Sequence, residues 1–206
     1  MKIIKLISGA FQTNTYIVIE GREAVVIDPA GDSKKILASI AGKTAELTAI
    51  LLTHGHFDHT SAAQELKEAS GTQIYIHEGD APMLSDIKKS FAAFMPELFK
   101  PCQADVLLKD GDVINVGEAH LTVMSTPGHS AGSVMYILGN TIFSGDTLFA
   151  GSVGRTDGWG GDFAVQRKSL EKIKALEGDY RILPGHGEET TLAQEKRTNA
   201  YLMEIY

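Results

Sequence analysis

The chain has 206 residues, 43% of them hydrophobic and 22% charged, and a formal net charge of −7. That composition supports one well-buried core, and a negative balance without any Lys/Arg cluster excludes a phosphate-backbone binder, so nucleic acid is not an expected partner. Cys102 is the single cysteine, which excludes an intrachain disulfide and a thiolate zinc site; a metal here must sit on histidine and carboxylate.

The opening MKIIKLISGAFQTNTYIVIE breaks its apolar runs too often for an export signal or a membrane span, so a cytoplasmic protein with no membrane partner is expected. β-Branched runs at 3–8, 16–20 and 24–28, separated by turn residues such as Glu20-Gly21, predict a meander. Asp28-Pro29-Ala30-Gly31 ends the third strand, and Ser33 is placed to cap a short helix to about Ala41. The continuous apolar run 49–53 reads as a strand buried on both faces, 60–69 as a helix with Gly71 beyond it, and 73–77 as a strand. Residues 78–101 mix helical patches with Pro82, Pro96 and Pro101 and are expected to flank a cleft. Within them Phe91, Phe94, Met95, Leu98 and Phe99 approximate a helical apolar stripe, which reads as core or partner contact rather than substrate groove. Strands are predicted at 106–108, 113–116, 121–125, 133–138 and 141–144, the last two joined by a Gly139-Asn140 turn. Asp162 is the expected N-cap of a helix whose apolar stripe is Phe163, Leu170, Ile173 and Leu176, with Gly178 as its stop. A strand at 180–183 and a helix opened by the Thr191/Gln194 capping pattern, running to about Glu204, complete the chain. With no linker-like stretch, residues 1–206 read as one domain of two strand-rich halves trailed by helices, hence two sheets packed face to face with helices outside.

The stretch ILLTHGHFDHTSAA, from Ile50 to Ala63, crowds three histidines and an aspartate against an apolar run. Residues two apart share a side only in extended backbone, so His54 and His56 can share a cation only if this segment is not helical. Asp58 and His59 must then turn onto a second position. Donors recur where other apolar strands run into glycine-containing turns: VMSTPGH gives His129, IFSGD gives Asp146 and ILPGH gives His186. Such strand ends are where a scaffold brings distant residues together. Seven donors, divided as three plus three with one shared carboxylate, suit two adjacent cations that keep room for water or substrate.

In this order, and over nearly the whole chain, 54-HGHFDH-59, His129, Asp146 and His186 resemble the metallo-β-lactamase superfamily, whose signature is HxHxDH followed by a distant His, an Asp and a final His. The resemblance implies an α+β fold, a four-layer αβ/βα sandwich of two mixed β-sheets flanked by helices, with the metals at one edge. It also implies that His54, His56 and His129 hold one metal, that Asp58, His59 and His186 hold the second, and that Asp146 bridges both. SGDTLFAGSVGRTD, with TPGHSAGS before it and LPGHGEETT after it, resembles the glyoxalase II branch, the hydroxyacylglutathione hydrolases, in a short form lacking the C-terminal helical domain. Arg155 matches that branch's basic residue after the bridging aspartate and is expected to bind the substrate. Two departures are visible: the branch's tyrosine two positions on is Asp157 here, and its tyrosine after the last histidine is missing, with Glu188 and Glu189 nearby.

The resemblance implies a hydrolase with two divalent metal ions, zinc first, with iron and manganese as alternatives for the same His/Asp ligands. Such ions lower the pKa of a shared water to give a bound hydroxide and polarise a carbonyl, so no Ser or Cys nucleophile is needed; Asp58 is expected to orient that nucleophile or move a proton. The expected substrate is a small thioester such as a hydroxyacylglutathione, with a small ester or lactone as the alternative. A mononuclear-iron persulfide dioxygenase and a non-catalytic descendant of the fold are the competing classes. The complete donor set argues against the latter, LPGHGEETT against the dioxygenase, and the missing export signal against a β-lactamase. Elsewhere, His77 reads as structural or rim, His120 as no ligand, and Cys102 as inert. Asp28 reads as a turn former, with support of a ligand as the sharper alternative, and Trp159 as cleft wall or packing.

Overall fold

The computed structural model describes residues 1–203. The chain opens as an antiparallel meander, β1 (Lys2–Ser8), β2 (Thr13–Glu20) and β3 (Glu23–Ile27). Helix α1 (Ser33–Ala41) then carries the chain across to β4 (Glu46–Leu51), and α2 (Phe57–Thr60) with α3 (Ala63–Ser70) carries it to β5 (Gln73–His77). With β6 (Val106–Leu108) these strands add in parallel, as strands joined by helical crossovers must. The first sheet is therefore mixed, in the order β1-β2-β3-β4-β5-β6.

The second half repeats the plan. Strands β7 (Val113–Val116), β8 (Ala119–Ser125), β9 (Val134–Leu138) and β10 (Thr141–Gly145) form hairpins, followed by a two-stranded ribbon, β11 (Leu148–Phe149) and β12 (Ser152–Val153). Helix α4 (Phe163–Lys174) crosses to β13 (Arg181–Pro184), parallel to β10; β14 (Thr190–Thr191), α5 (Leu192–Thr198) and α6 (Ala200–Met203) follow. This sheet runs β14-β13-β10-β9-β8-β7.

Alternation along the strands makes the layers. Tyr16, Val18, Val25 and Ile27 meet Tyr136 and Phe143 between the sheets, while Ile17, Ile19 and Val26 face outward onto Ile36, Ile40 and Leu66 of α1 and α3. On the other side Met135 and Ile142 pack on Leu170 and Ile173 of α4 and Leu192 of α5. The result is a helix, sheet, sheet, helix sandwich of two mixed sheets. Two buried phenols pin the sheets together: Tyr16 donates to the Pro184 carbonyl and Tyr136 to that of Leu52, each at 2.7 Å. A buried hydroxyl left without such a partner costs about 1–3 kcal/mol.

Several boundaries differ from the sequence expectations. Asp32, not Ser33, caps α1, accepting from the Lys34 amide at 2.9 Å, while the Ser33 hydroxyl donates to Glu65 at 2.8 Å. The strand expected at 49–53 starts at Glu46 and stops at Leu51, freeing Thr53 for the site below. The helix expected at 60–69 is two, because the turn carrying Asp58 and His59 forms its own helix before Ser61. The apolar stripe of 91–99 is not a helix: Phe91 sits at φ 64, and 3-10 turns at Ala92–Phe94 and Pro96–Leu98 flank Met95, which precedes a proline. Phe163 is 47% exposed and meets Tyr201 edge-on instead of joining the buried stripe. The last helix breaks at Asn199, and Glu204, its expected end, lies outside the described residues. Among the described residues no helix is long and apolar enough to cross a membrane.

Candidate metal centre

All seven predicted donors lie at the C-terminal ends of strands along one edge of the sandwich. The chain leaves β4 at Leu51 and presents His54 and His56 in extended backbone before α2 supplies Asp58 and His59. His129 follows β8, Asp146 follows β10 and His186 follows β13. Hydrogen bonds between the two sheets hold these ends together: the Val134 amide donates to Thr53 at 2.8 Å and the Asn14 amide to Gly185 at 2.7 Å. Buried Asp80 adds a third tie, accepting from the Gly55 and Gly132 amides and from the Ser130 hydroxyl at 3.0, 2.6 and 2.6 Å. Backbone passes so close to the donors at Gly185 that a Cβ there would collide with Asp146 Oδ1 and lie 2.6 Å from His59 Cε1.

The seven predicted donors form two groups of three, His54 with His56 and His129, and Asp58 with His59 and His186, each with its ligand atoms within 4.8 Å of one another; a third such group joins Asp28 to His54 and His59. His129 Nε2 faces His56 Nδ1 at 3.0 Å, and His59 Nε2 faces His186 Nε2 at 3.1 Å. Asp146 lies between the groups, 3.8 Å from His129 Nε2, 3.6 Å from His186 Nε2 and 3.4 Å from His59 Nε2. Asp58 Oδ2 is 3.2 Å from His186 Nε2 and accepts from the Thr13 hydroxyl at 3.2 Å.

The outer ring nitrogens decide the tautomers. Asp28 Oδ2 takes the proton of His59 Nδ1 at 3.1 Å and that of the Thr53 hydroxyl at 2.7 Å. Its proton so committed, the Thr53 oxygen accepts from His54 Nδ1 at 3.0 Å. His129 Nδ1 donates to the Arg155 carbonyl at 2.7 Å and His186 Nδ1 to that of Phe11 at 3.1 Å. Four imidazoles thus turn an Nε2 lone pair inward. Sequence reasoning did not single out Thr53 or Asp80, and Asp28 combines its turn, at φ 51, with support of two imidazoles.

Lone pairs pointed at each other across 3.1 Å repel unless a proton or cation lies between them. Buried and without a hydrogen-bond partner are His54 Nε2, His56 Nε2 and Asp146 Oδ1. The donor set therefore fits divalent cations. Burial and the neighbouring imidazoles hold the His54 pKa well below its ordinary value, and the same causes bring His56 down to about 3. Burial also opposes protonation of His59, yet Asp58 and Asp146 outweigh it and raise its pKa well above the ordinary value. His186 is raised as well, burial being overcome by its bond to Asp58. Protons therefore compete with a cation at His59 and His186. On acidification from pH 7.5 to 5, metal held by Asp58, His59 and His186 is therefore expected to be lost; metal content after dialysis at each pH, with His59→Ala as reference, checks this.

The centre floors a cleft of about 580 Å³ walled by Phe11, Phe57, Phe91, Phe94, Met95 and Phe149. Phe91, Phe94 and Met95 thus line the cleft instead of forming a core or partner stripe, because the Ala92–Phe94 turn and its left-handed start at Phe91 break the helical spacing. Arg155 lines the same cleft. Trp159 does not; Lys89 lies over its ring at 4.9 Å. His120 bonds Asn115 at 2.8 Å, and His77 accepts from the Gly79 amide at 3.2 Å, each outside the donor groups. Cys102 is buried, which pushes its thiol up to about 11 and keeps it unreactive.

Known proteins share this architecture. The family model described as the metallo-beta-lactamase superfamily matches residues 8–186. The hydroxyacylglutathione hydrolase GloC of Haemophilus influenzae is 32% identical, over 94% of this chain and 94% of its own. Among solved structures, the B3 metallo-beta-lactamase BLEG-1 aligns at TM-score 0.90 and 33% identity, over 98% of this chain and 99% of that one. TTHA1623, in a di-iron-bound form, aligns at TM-score 0.86 and 37% identity, over 97% of this chain and 100% of that one.

Proposed function

The chain belongs to the metallo-beta-lactamase superfamily, and from that premise we propose that it is a hydrolase that works with two divalent ions on a small thioester, the class that includes the hydroxyacylglutathiones. The observation that carries this reading is the pair of inward-facing imidazole nitrogens in each donor group, with Asp146 within reach of both groups. His54, His56 and His129 would hold one ion, Asp58, His59 and His186 the other, with Asp146 shared. When bound, such ions make water acidic enough to ionise near neutral pH and polarise a carbonyl; the His/Asp set suits zinc, and iron and manganese as well. Asp58 lines the cleft, as Asp146 does, and the Thr13 hydroxyl donates to its Oδ2; with Asp146 shared between the groups, Asp58 is the carboxylate assigned to the reacting atoms. Its part is to orient the attacking water and take up its proton. The cleft between the aromatic walls has room for a small molecule.

The likeness to a B3 metallo-beta-lactamase supports a second reading, hydrolysis of a β-lactam amide by the same machinery. One preparation tests both. Metal content per chain is measured beside turnover of S-lactoylglutathione, of the lactoyl thioester of N-acetylcysteamine, and of a β-lactam. Two ions per chain with cleavage of either thioester is the expected result; β-lactam cleavage alone selects the second reading. One iron per chain with oxygen uptake on glutathione persulfide overturns both.

A further inference from the structure

We infer that Asp157 masks Arg155 and thereby tunes the cleft toward thioesters whose thiol part carries no charge. This names the substrate class within the thioester reading above and rests on it. Histidines aside, Arg155 is the one cationic side chain among the described residues lining the cleft. Its guanidinium is already engaged: Nε donates to Asp157 Oδ1 at 2.5 Å and Nη2 to Asp157 Oδ2 at 2.6 Å, a two-pronged pairing, and its Cζ lies 5.4 Å from the centre of the Phe91 ring. The Arg155 backbone is held too, since its carbonyl accepts from His129 Nδ1 at 2.7 Å, so the side chain projects from a point fixed to the metal centre. Asp157 stays ionised at any working pH, because the bond from Arg155 lowers its pKa to about 2.

Both side chains of this pair are 65% exposed. A pair so exposed contributes little to folding, so stability gives no reason for it. Its effect on the cleft is larger in kind: the rim that would present a lone cation to an anionic ligand presents a neutral pair. The other walls are aromatic or thioether, and the chain's net charge of −7 offers no compensating attraction. A glutathione conjugate brings two carboxylates and one ammonium; to use Arg155 it must displace Asp157. An N-acetylcysteamine conjugate makes no such demand and buries its chain on the aromatic walls.

The test is binding, which does not depend on turnover. Calorimetry on the metal-loaded protein at low salt compares S-hexylglutathione with S-hexyl-N-acetylcysteamine, ligands that share the apolar group and differ in charge. Wild type is expected to favour the neutral ligand. D157N is expected to shift the ratio of the two dissociation constants toward the glutathione ligand about fivefold, as removal of a competing carboxylate from a charge-assisted pair predicts. Adding R155Q to D157N should reverse that shift. A ratio unchanged in D157N, a shift that survives R155Q, or no measurable binding of either ligand to any variant would overturn the inference. Loss of thioester turnover, measured separately, speaks to the proposed function and not to the mask.

Discussion

Asp58→Asn and His56→Ala are each expected to abolish hydrolysis, lowering kcat/KM at least about a thousandfold, in proteins that keep their circular dichroism spectrum. The amide in place of Asp58 would match the carboxylate in shape but carry no charge and take up no proton. Asp58 Oδ2 stands 3.2 Å from His186 Nε2 and 3.5 Å from His59 Nε2, so the amide also removes a negative charge from the group that would hold the second ion. His56→Ala deletes the nitrogen 3.0 Å from His129 Nε2 and leaves the first group two donors. Neither residue belongs to the apolar layers between or outside the sheets, so the fold has no reason to fail. Wild-type turnover by either variant would refute the role given to its residue.

Asp28→Asn has the second largest expected effect, although Asp28 is no donor of either inner group. Its carboxylate accepts from the Thr53 amide at 2.7 Å, from the Thr53 hydroxyl at 2.7 Å and from His59 Nδ1 at 3.1 Å. An amide oxygen can replace one of those acceptors; the amide nitrogen must donate where a carboxylate oxygen accepted. If it takes the place of Oδ2, it faces both His59 Nδ1 and the Thr53 hydroxyl: Nδ1 becomes the acceptor, the proton moves to Nε2 so that the ring offers no inward lone pair, and the hydroxyl loses its acceptor and no longer fixes His54. If it takes the place of Oδ1, it opposes the Thr53 backbone N–H and loosens the same turn. Loss of one outer partner of a ligating histidine weakens metal binding about 10- to 100-fold. Thr53→Val breaks the His54 branch and spares the His59 contact. The expected order of metal retention is therefore wild type, then Thr53→Val, then Asp28→Asn, read as ions per chain after dialysis against a weak chelator. Asn tolerates the positive φ at position 28, so backbone strain does not confuse the comparison. Equal retention by Asp28→Asn and wild type would show that the carboxylate does not control the tautomers.

Much of the fold was legible because local patterns carried it. The strand expected at 24–28 forms one residue earlier, at Glu23–Ile27, the hairpin at Gly139-Asn140 falls where its turn residues put it, and Leu170 and Ile173 face the core at helical spacing. What misled was context beyond the window. The 91–99 stripe has helical spacing, yet Pro96 and the left-handed Phe91 break it into turns that face the cleft. Arg155 was legible as a cleft cation; its pairing with Asp157 appears only once a turn folds a carboxylate two residues away onto the guanidinium.

By itself the sequence determined which atoms are available and in what order along the chain: five imidazoles and two carboxylates set beside glycines at the ends of apolar strands, with no thiolate to compete. Tertiary structure alone decided which of them meet and in which protonation state. His59 and His186 are 127 positions apart, and their ring nitrogens come within 3.1 Å only because Asn14 and Tyr16 of one sheet hydrogen-bond to the end of β13 in the other. The physical reason is one of range: spacing and turn chemistry act over a few residues, whereas the direction of each lone pair is set by outer partners, Asp28, Thr53 and two backbone carbonyls, that sheet packing delivers from elsewhere in the chain.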